Sequence, residues 1–221
     1  MDILYADERI LVCIKPSGIL SAGDEPGGMV DLLRRELGDA HACVRSVHRL
    51  DAQVSGLMVF ARSQMAASLL SEQVRTHVFE KEYLAAVHGT FPEPSGQMED
   101  LLWYNRSLRK SRVMDAPGKD VKRALLSYDV LDSCPAQDAS LVKIRLHTGR
   151  THQIRVQFSS RAHALLGDRK YGAGEEDGCP IALFSWRLSF LHPQSGERVS
   201  FSALPPKNAP WSFFDCSEIA E

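Results

Sequence analysis

Residues 48–61 read HRLDAQVSGLMVFA and join a polar segment to an apolar one. Gly56 to Ala61 is a continuous apolar run with the length of one buried strand, so His48-Arg49-Leu50-Asp51 lies in the loop before that strand. The glycine at position 56 permits a turn of the backbone at the strand entrance. Because loops beside a rigid strand often carry functional groups, the stretch predicts a buried strand with a candidate site at Asp51.

The rest of the chain predicts both strands and helices around this stretch. Apolar runs predict strands near residues 3–5, 10–14, 83–88, 124–130, 141–146, 182–190 and 198–201, and residues 97–122 predict hairpins. Helical spacing predicts helices over 29–37 and 64–75, the second capped by Ser63. Residues 151–159 fit a strand or a helix. Strands joined mostly by hairpins, with few helices, predict an α+β fold with a largely antiparallel or mixed sheet and flanking helices.

Length and composition are those of an ordinary globular protein. The chain has 221 residues, 44% of them hydrophobic and 24% charged, which excludes disordered, collagen-like and coiled-coil chains. Its five cysteines form no C-x-x-C pair, so they indicate neither a disulfide framework nor a zinc site. The acidic start lacks the features of a secretory signal, and no apolar run is long enough to span a membrane. We expect a cytoplasmic protein with no membrane partner.

Charge is unevenly distributed along the chain. The formal net charge is −2, but residues 106–123 carry seven basic residues against two acidic ones, and residues 143–170 carry seven against one. Such segregation can give an acidic protein one basic face, which is the surface that a phosphate backbone binds. On charge alone, solvated strand and loop faces explain both segments as well.

A second polar segment, His147-Thr148-Gly149-Arg150-Thr151-His152-Gln153-Ile154-Arg155, also indicates a site. Taken alone, residues 48–51 fit a surface turn in which Asp51 caps the backbone and pairs with Arg49. The second segment has many polar side chains, and burying them costs free energy unless they form hydrogen bonds with each other or with a ligand. The chain has no phosphate-binding loop, nucleophile elbow or zinc-binding helix motif, so no metal and no cofactor is expected.

Five motifs, in order, resemble those of the RluA-type pseudouridine synthase family. Residues 48–57 are similar to its H-R-L-D-x-x-T-S-G-L signature, and residues 15–18, 81–89, 147–155 and 167–172 are similar to its first motif, its K-x-Y strand, its T-G-R-x-H-Q-I-R segment and its G-D-x-x-Y-G segment. Val54 stands where the family usually has threonine, so any hydrogen bond made by that hydroxyl has to come from another group.

The resemblance implies the pseudouridine synthase fold and an RNA isomerase that uses no cofactor. Residues 1–221 are expected to form a single catalytic domain with no RNA-binding domain before Lys15. The expected substrate is a uridine in structured ribosomal or transfer RNA, which must leave its stack to be enclosed. We expect a monomer. A catalytically silent RNA-binding module on the same fold is the alternative, and a hydrolase without an identifiable nucleophile motif is a weaker one.

The resemblance also implies roles for individual residues. Asp51 is the expected catalytic aspartate, acting as a nucleophile or as a base, and Arg150 is the cation expected to keep it ionised. Tyr83 is expected to stack on the target base, since a phenol with a pKa near 10 is a poor base at neutral pH. Arg49 is expected to enter the RNA stack. Further expected phosphate or base contacts are Lys15, His48, Lys81, Arg155 and His163.

Overall fold

The computed structural model describes residues 2–91, 93–172 and 178–215, so Cys216 lies outside the described residues. The chain forms two compact units, the first made of residues 1–81 and 184–204 and the second of residues 82–183 and 205–221. No helix among the described residues is both long and apolar enough to cross a membrane.

The first unit is built on a mixed sheet with two helices. Its elements are β1 (Ile3–Ala6), β2 (Ile10–Lys15), α1 (Met29–Glu36), β3 (Arg45–Ser46), β4 (Ser55–Ala61), α2 (Gln64–Arg75), all but the first residue of β10 (Leu183–Leu191), and β11 (Arg198–Ser202). β2 pairs antiparallel with β1 and with β4, and β3 pairs antiparallel with β4. β10 pairs parallel with β4 and antiparallel with β11. β4 therefore lies inside the sheet.

Alternation along the strands places one core of the first unit under α2. Val12 and Val59 are opposite each other in the β2–β4 ladder, and both are fully buried. They belong to a cluster that includes Ala66 and Leu70 of α2. The opposite face of β4 is buried too, since Met58 is inaccessible to solvent. Burial on both faces explains why this strand is a continuous apolar run rather than an alternating one.

The second unit is built on an antiparallel sheet with one helix. Its elements are β5 (Glu80–His88, beginning at the end of the first unit), β6 (Ser95–Asn105), β7 (Lys110–Met114), β8 (Val121–Cys134), β9 (Ala139–Leu146) and α3 (Gln153–Ser159). The strand order is β5-β9-β8-β6-β7, with every neighbouring pair antiparallel. On this sheet, Leu102 and Ala124 form a small core with Val156 of α3.

These units confirm the predicted α+β fold and most of its elements. Ser63 caps α2, its side chain accepting a hydrogen bond from the backbone N–H of Ala66 at 3.1 Å. Ala66 and Leu70 form the buried face of α2, whereas Met65 and Leu69 are exposed. Of the ambiguous residues 151–159, Gln153–Ser159 form α3, and the short β3 is a strand that the sequence analysis did not predict.

Candidate functional site

Asp51 lies in the loop that enters β4, as the sequence predicts, and is partly exposed. The loop closes tightly, since the backbone N–H of Val54 donates to the carbonyl oxygen of Asp51 at 3.0 Å. Gly56, just inside β4, has a φ of +118°. A Cβ atom there would come within 2.4 Å of the backbone nitrogen of Ser185 on β10, so only glycine fits this close approach of two strands.

The turn after β2 holds the Asp51 loop through its backbone carbonyls. The hydroxyl groups of Ser17 and Ser21 donate to the carbonyl oxygens of Gln53 and Leu50 at 2.7 and 2.8 Å. The backbone N–H of Gly18 donates to Ala52 at 2.8 Å. These hydrogen bonds from the neighbouring turn hold the loop without a hydroxyl group at position 54. Val54 itself is buried, at 2% exposure.

Lys15 completes this support from inside the unit. Its side chain is fully buried, and Nζ donates to the carbonyl oxygens of Pro16, Ile19 and Ala52 at 2.8, 2.7 and 2.8 Å. Burial lowers the pKa of Lys15 to about 8, and the negative charge of Asp51 opposes that shift. The placement does not agree with the expected RNA contact, because all three N–H donors bind carbonyl groups. Lys15, named from the sequence as an RNA contact, is instead a buried cation that interacts with the charge of Asp51, a role that the sequence did not indicate.

His48 is buried and neutral. Its Nε2 accepts a hydrogen bond from the backbone N–H of Val59 on β4 at 3.1 Å, which places the ring proton on Nδ1. Burial, and to a lesser extent the positive charge of Lys81, lowers the pKa of His48 to about 3. The ring packs against Phe79 with centroids 5.4 Å apart. A buried neutral imidazole does not suit the phosphate contact expected from the sequence, so His48 positions the segment that carries Arg49 and Asp51.

Arg49 and Lys81 are the cations of the first unit whose surroundings agree with the RNA contacts expected of them. Arg49 is exposed, and within the described part of the chain it has neither a hydrogen bond nor an ion pair. Lys81 is half-buried, its pKa is lowered by that burial, and it too lacks such partners among the described residues. Both charges are therefore available to an anionic ligand.

Tyr83 and Arg150 lie in the second unit. Tyr83 is 5% exposed and sits in β5 opposite Ile144 of β9. Arg150 is exposed, and its Nε donates to the carbonyl oxygen of Arg123 on β8 at 2.9 Å. No acceptor among the described residues of its own unit binds the two Nη groups. The guanidinium is therefore anchored at one nitrogen and keeps its forked end for a carboxylate or phosphate.

Gln153 organises the segment around Arg150 and was not singled out from the sequence. Its Oε1 accepts hydrogen bonds from the Thr148 hydroxyl at 2.8 Å and from the backbone N–H of Arg150 at 2.9 Å. Its Nε2 donates to the carbonyl oxygen of Leu125 on β8 at 3.1 Å. The buried amide therefore fixes the turn before α3 against β8. Its place in the dense polar segment was the available signal.

Arg155 is part of a buried ion pair. Its Nε and Nη2 both donate to the carboxylate of Asp168 at 2.7 Å, and the side chains are 8% and 0% exposed. The same carboxylate accepts the backbone N–H groups of Lys170 and Tyr171. The expected RNA contact of Arg155 does not agree with this placement, because the guanidinium is enclosed. The pair instead ties the GDRKYG segment to α3.

His163, the last of the expected RNA contacts, is half-buried. Its Nδ1 donates to the carbonyl oxygen of His88 at 2.9 Å, and its ring stacks on Phe91 with centroids 4.0 Å apart. These contacts give it a packing role within the second unit.

The two basic segments differ in how much charge they leave available. In residues 106–123 most basic side chains are exposed, although Arg123 pairs bidentately with Glu99 at 2.6 and 2.9 Å. In residues 143–170 Arg155 is paired as above, Lys143 pairs with Asp129 at 3.1 Å, and Arg161 pairs with Asp100 at 2.9 Å. The first segment therefore offers the more open basic surface. Among the described residues, no cluster of three or more His, Cys, Asp or Glu side chains is arranged to hold a metal ion.

Comparison with known proteins identifies relatives of this arrangement. A family model described as RNA pseudouridylate synthase matches residues 9–160. The "Ribosomal large subunit pseudouridine synthase D" of Zymomonas mobilis is 33% identical over 94% of this chain and 70% of that protein. The "Dual-specificity RNA pseudouridine synthase RluA" of Pasteurella multocida is 33% identical over 93% of both chains. The solved structure of "Human RNA Pseudouridylate Synthase Domain Containing 1" superposes with a TM-score of 0.80 at 26% identity, covering 97% of this chain and 86% of that one.

Proposed function

Because the chain belongs to the RluA-type family of RNA pseudouridine synthases, it isomerises uridine in RNA, and we propose that Asp51, Tyr83 and Arg150 carry the reaction. The observation that supports this most directly is the placement of Asp51 on a loop held by four side-chain and backbone donors. Preorganisation of this kind is what a reacting carboxylate requires.

The reaction rearranges the nucleoside without adding or removing atoms overall. The N1–C1′ bond breaks, the base turns over, C5 bonds to C1′, the proton leaves C5, and N1 gains a proton. An ionised carboxylate at Asp51 is the species needed whether it attacks carbon or draws a proton. Arg150 is the cation proposed to keep that carboxylate charged in an enclosed site, since a guanidinium never loses its own charge. Lys15 adds a second positive charge near Asp51.

Tyr83 is proposed to stack on the target base, and Arg49 to fill the space that the base leaves in the RNA. The first role is supported by the fixed position of Tyr83 in a buried strand, and the second by the exposed guanidinium of Arg49, which no described residue binds. Lys81 is proposed as a phosphate contact, and residues 106–123 as an electrostatic guide for RNA. The positioning roles fall to Lys15, His48, Arg155 and His163.

The substrate is proposed to be a structured ribosomal or transfer RNA. The names of the relatives support the ribosomal choice, since one of them is a large-subunit enzyme. The odd set of cysteines supports a cytoplasmic location. Both units are proposed to serve one catalytic activity in a monomer, because the five motifs are distributed over both, and light scattering of the purified chain checks the monomer.

The test is tritium release from RNA transcribed with [5-³H]uridine, using ribosomal RNA fragments and bulk transfer RNA. Wild-type protein is expected to release tritium and the Asp51→Asn variant to release none while binding the same RNA with similar affinity. The RNA that responds identifies the substrate class. Binding without release by the wild type on every RNA supplied would favour the silent RNA-binding module, and release that survives in Asp51→Asn would refute the assignment of Asp51.

A further inference from the structure

A cavity of about 450 Å³ in the first unit is not used by any of the roles above. Its walls come from the segment before α1, which contributes Asp24, from α1 with Arg34, from the loop that follows α1, and from β3 with Arg45 and Ser46. The volume lies within the range of about 300–1,000 Å³ that is typical of small-molecule pockets.

Three polar side chains of this cavity have no side-chain partner among the described residues. Arg45 is exposed, and neither its guanidinium nor the Ser46 hydroxyl or the His41 ring has a side-chain partner among the described residues. Arg34 donates through Nε to the carbonyl oxygen of Ala42 at 3.1 Å and through Nη1 to Asp24 at 2.9 Å, so the one carboxylate of the lining is paired. The remaining charge is positive, and the cavity therefore suits an anion that also accepts hydrogen bonds.

The position of the cavity relative to Asp51 follows from strand register. Arg45 pairs with Ala61 at the far end of β4, and Asp51 precedes Ser55 at its near end. The six steps from Ser55 to Ala61 span roughly 20 Å at about 3.3 Å per residue. Stacked nucleotides advance by about 3.4 Å each, and extended ones by more. A nucleotide in the cavity therefore lies several positions away from a uridine that reacts at Asp51.

We propose that this cavity binds one nucleotide of the RNA substrate, several positions from the target uridine, with its phosphate on Arg45 and its base and sugar inside. The proposal rests on the proposed function, because it takes the substrate to be RNA that reacts at Asp51. Since the cavity is remote from the reacting atoms, it contributes to binding of the RNA and leaves the chemical step unchanged.

Two pairs of variants test charge and space separately. Arg45→Ala is expected to weaken RNA binding about five- to tenfold and raise KM by the same factor with kcat unchanged. It is also expected to reduce the salt slope of binding by about one. Arg75→Ala, which removes an exposed arginine of α2 that lies outside the cavity and pairs with Glu72, is the control for the loss of one positive charge. Cys43→Trp narrows the cavity from its exposed rim and is expected to act like Arg45→Ala, whereas Cys43→Ser leaves binding unchanged.

The closing experiment measures binding in the Asp51→Asn background, so that it does not depend on catalysis. The full-length probe is a ribosomal RNA fragment or a transfer RNA transcript, whichever binds this protein. The short probe is the same transcript cut down to the target uridine with two nucleotides on either side. We expect Arg45→Ala to weaken binding of the full transcript and not of the short one. We also expect the full transcript to protect Cys43 of the unmodified chain from N-ethylmaleimide, read by peptide mass.

Equal binding by the Arg45→Ala and Arg75→Ala proteins, or an equal loss on both transcripts, would overturn the proposal. Protection of Cys43 by free uridine monophosphate but not by RNA would overturn it as well, and would indicate a free nucleotide as the ligand. Tritium release that survives in Asp51→Asn would refute the proposed active site instead, because none of these binding results depends on it.

Discussion

Replacing Lys15 with methionine tests whether the turn after β2 holds the Asp51 loop. Methionine keeps an unbranched side chain of similar length and removes the ammonium group. In the wild type this group binds the carbonyl oxygens of Pro16, Ile19 and Ala52 in a position that solvent does not reach. We expect the Lys15→Met variant to be less stable and slower, with its affinity for RNA unchanged.

The magnitude follows from two opposing contributions. A hydrogen bond to a charged group contributes about 1.5–3 kcal/mol, and three are lost. Burial of the ammonium opposes them, and the fall of the pKa of Lys15 from 10.5 to about 8 puts that cost at roughly 3 kcal/mol. Ala52 keeps the backbone N–H of Gly18 as a donor at 2.8 Å, which reduces the loss. We expect the free energy of unfolding to fall by about 1–5 kcal/mol. A loop displaced by a fraction of an ångström is expected to lower kcat about tenfold.

Urea unfolding measures the stability, and tritium release from [5-³H]uridine RNA measures kcat and KM. Lys207→Met makes the same change at an exposed position and is expected to leave all three values within error of the wild type. Two results would refute the reasoning. An unchanged free energy of unfolding would show that the three hydrogen bonds do not support the loop. A rise in KM with kcat and stability unchanged would show that Lys15 contacts the RNA after all.

Three further predictions concern buried groups. The pKa of His48 is about 3 in the folded protein and 6.5 in the unfolded chain, so between pH 6.5 and pH 3 only the unfolded chain gains this proton. Urea titrations over that range should therefore show the free energy of unfolding fall by on the order of 5 kcal/mol. The His48→Gln variant should lack this part of the fall. Gly56→Ala should destabilise the protein by more than about 3 kcal/mol in the same assay, because its Cβ meets the backbone of Ser185. Arg155→Met should lower stability by about 3–5 kcal/mol by leaving Asp168 buried and unpaired, and should leave the salt slope of RNA binding unchanged.

Elements with a strong apolar pattern were predictable from the sequence, whereas weakly patterned ones were not. α2 was predictable because Ser63 and the helical spacing gave both its start and its course. β3 has only two residues, Arg45 and Ser46, and depends on pairing with β4, which no local signal reveals. Residues 153–159 form α3 rather than a strand, and residues 153 to 158 are all buried, so burial of Ile154 and Phe158 does not distinguish a helical from an alternating pattern. The pattern alone allowed both.

The candidate site was predictable in its location but only in part in its roles. Motif similarity identified Asp51 and the segment around Arg150, because a motif fixes residue types and spacing. The sequence shows that Lys15 and Arg155 are charged but does not show whether their side chains are buried. Both are buried in the structure, so they face the protein interior.

The polar residues of the motifs divide according to what their polar atoms already bind. Lys15 and Arg155 use their donors on carbonyl groups and on a carboxylate within their own unit. The Gln153 amide donates to a carbonyl group and accepts from the backbone N–H of Arg150, and such residues fix the positions of loops. Arg49 and Arg150 keep guanidinium nitrogens that no described residue of their own unit binds. A charge that the fold does not use has to be balanced by a ligand or by water, and the proposed balance is RNA for Arg49 and the Asp51 carboxylate for Arg150. Donors that no described residue binds are therefore candidates for ligand contacts, and by the same criterion Arg45 is one of them.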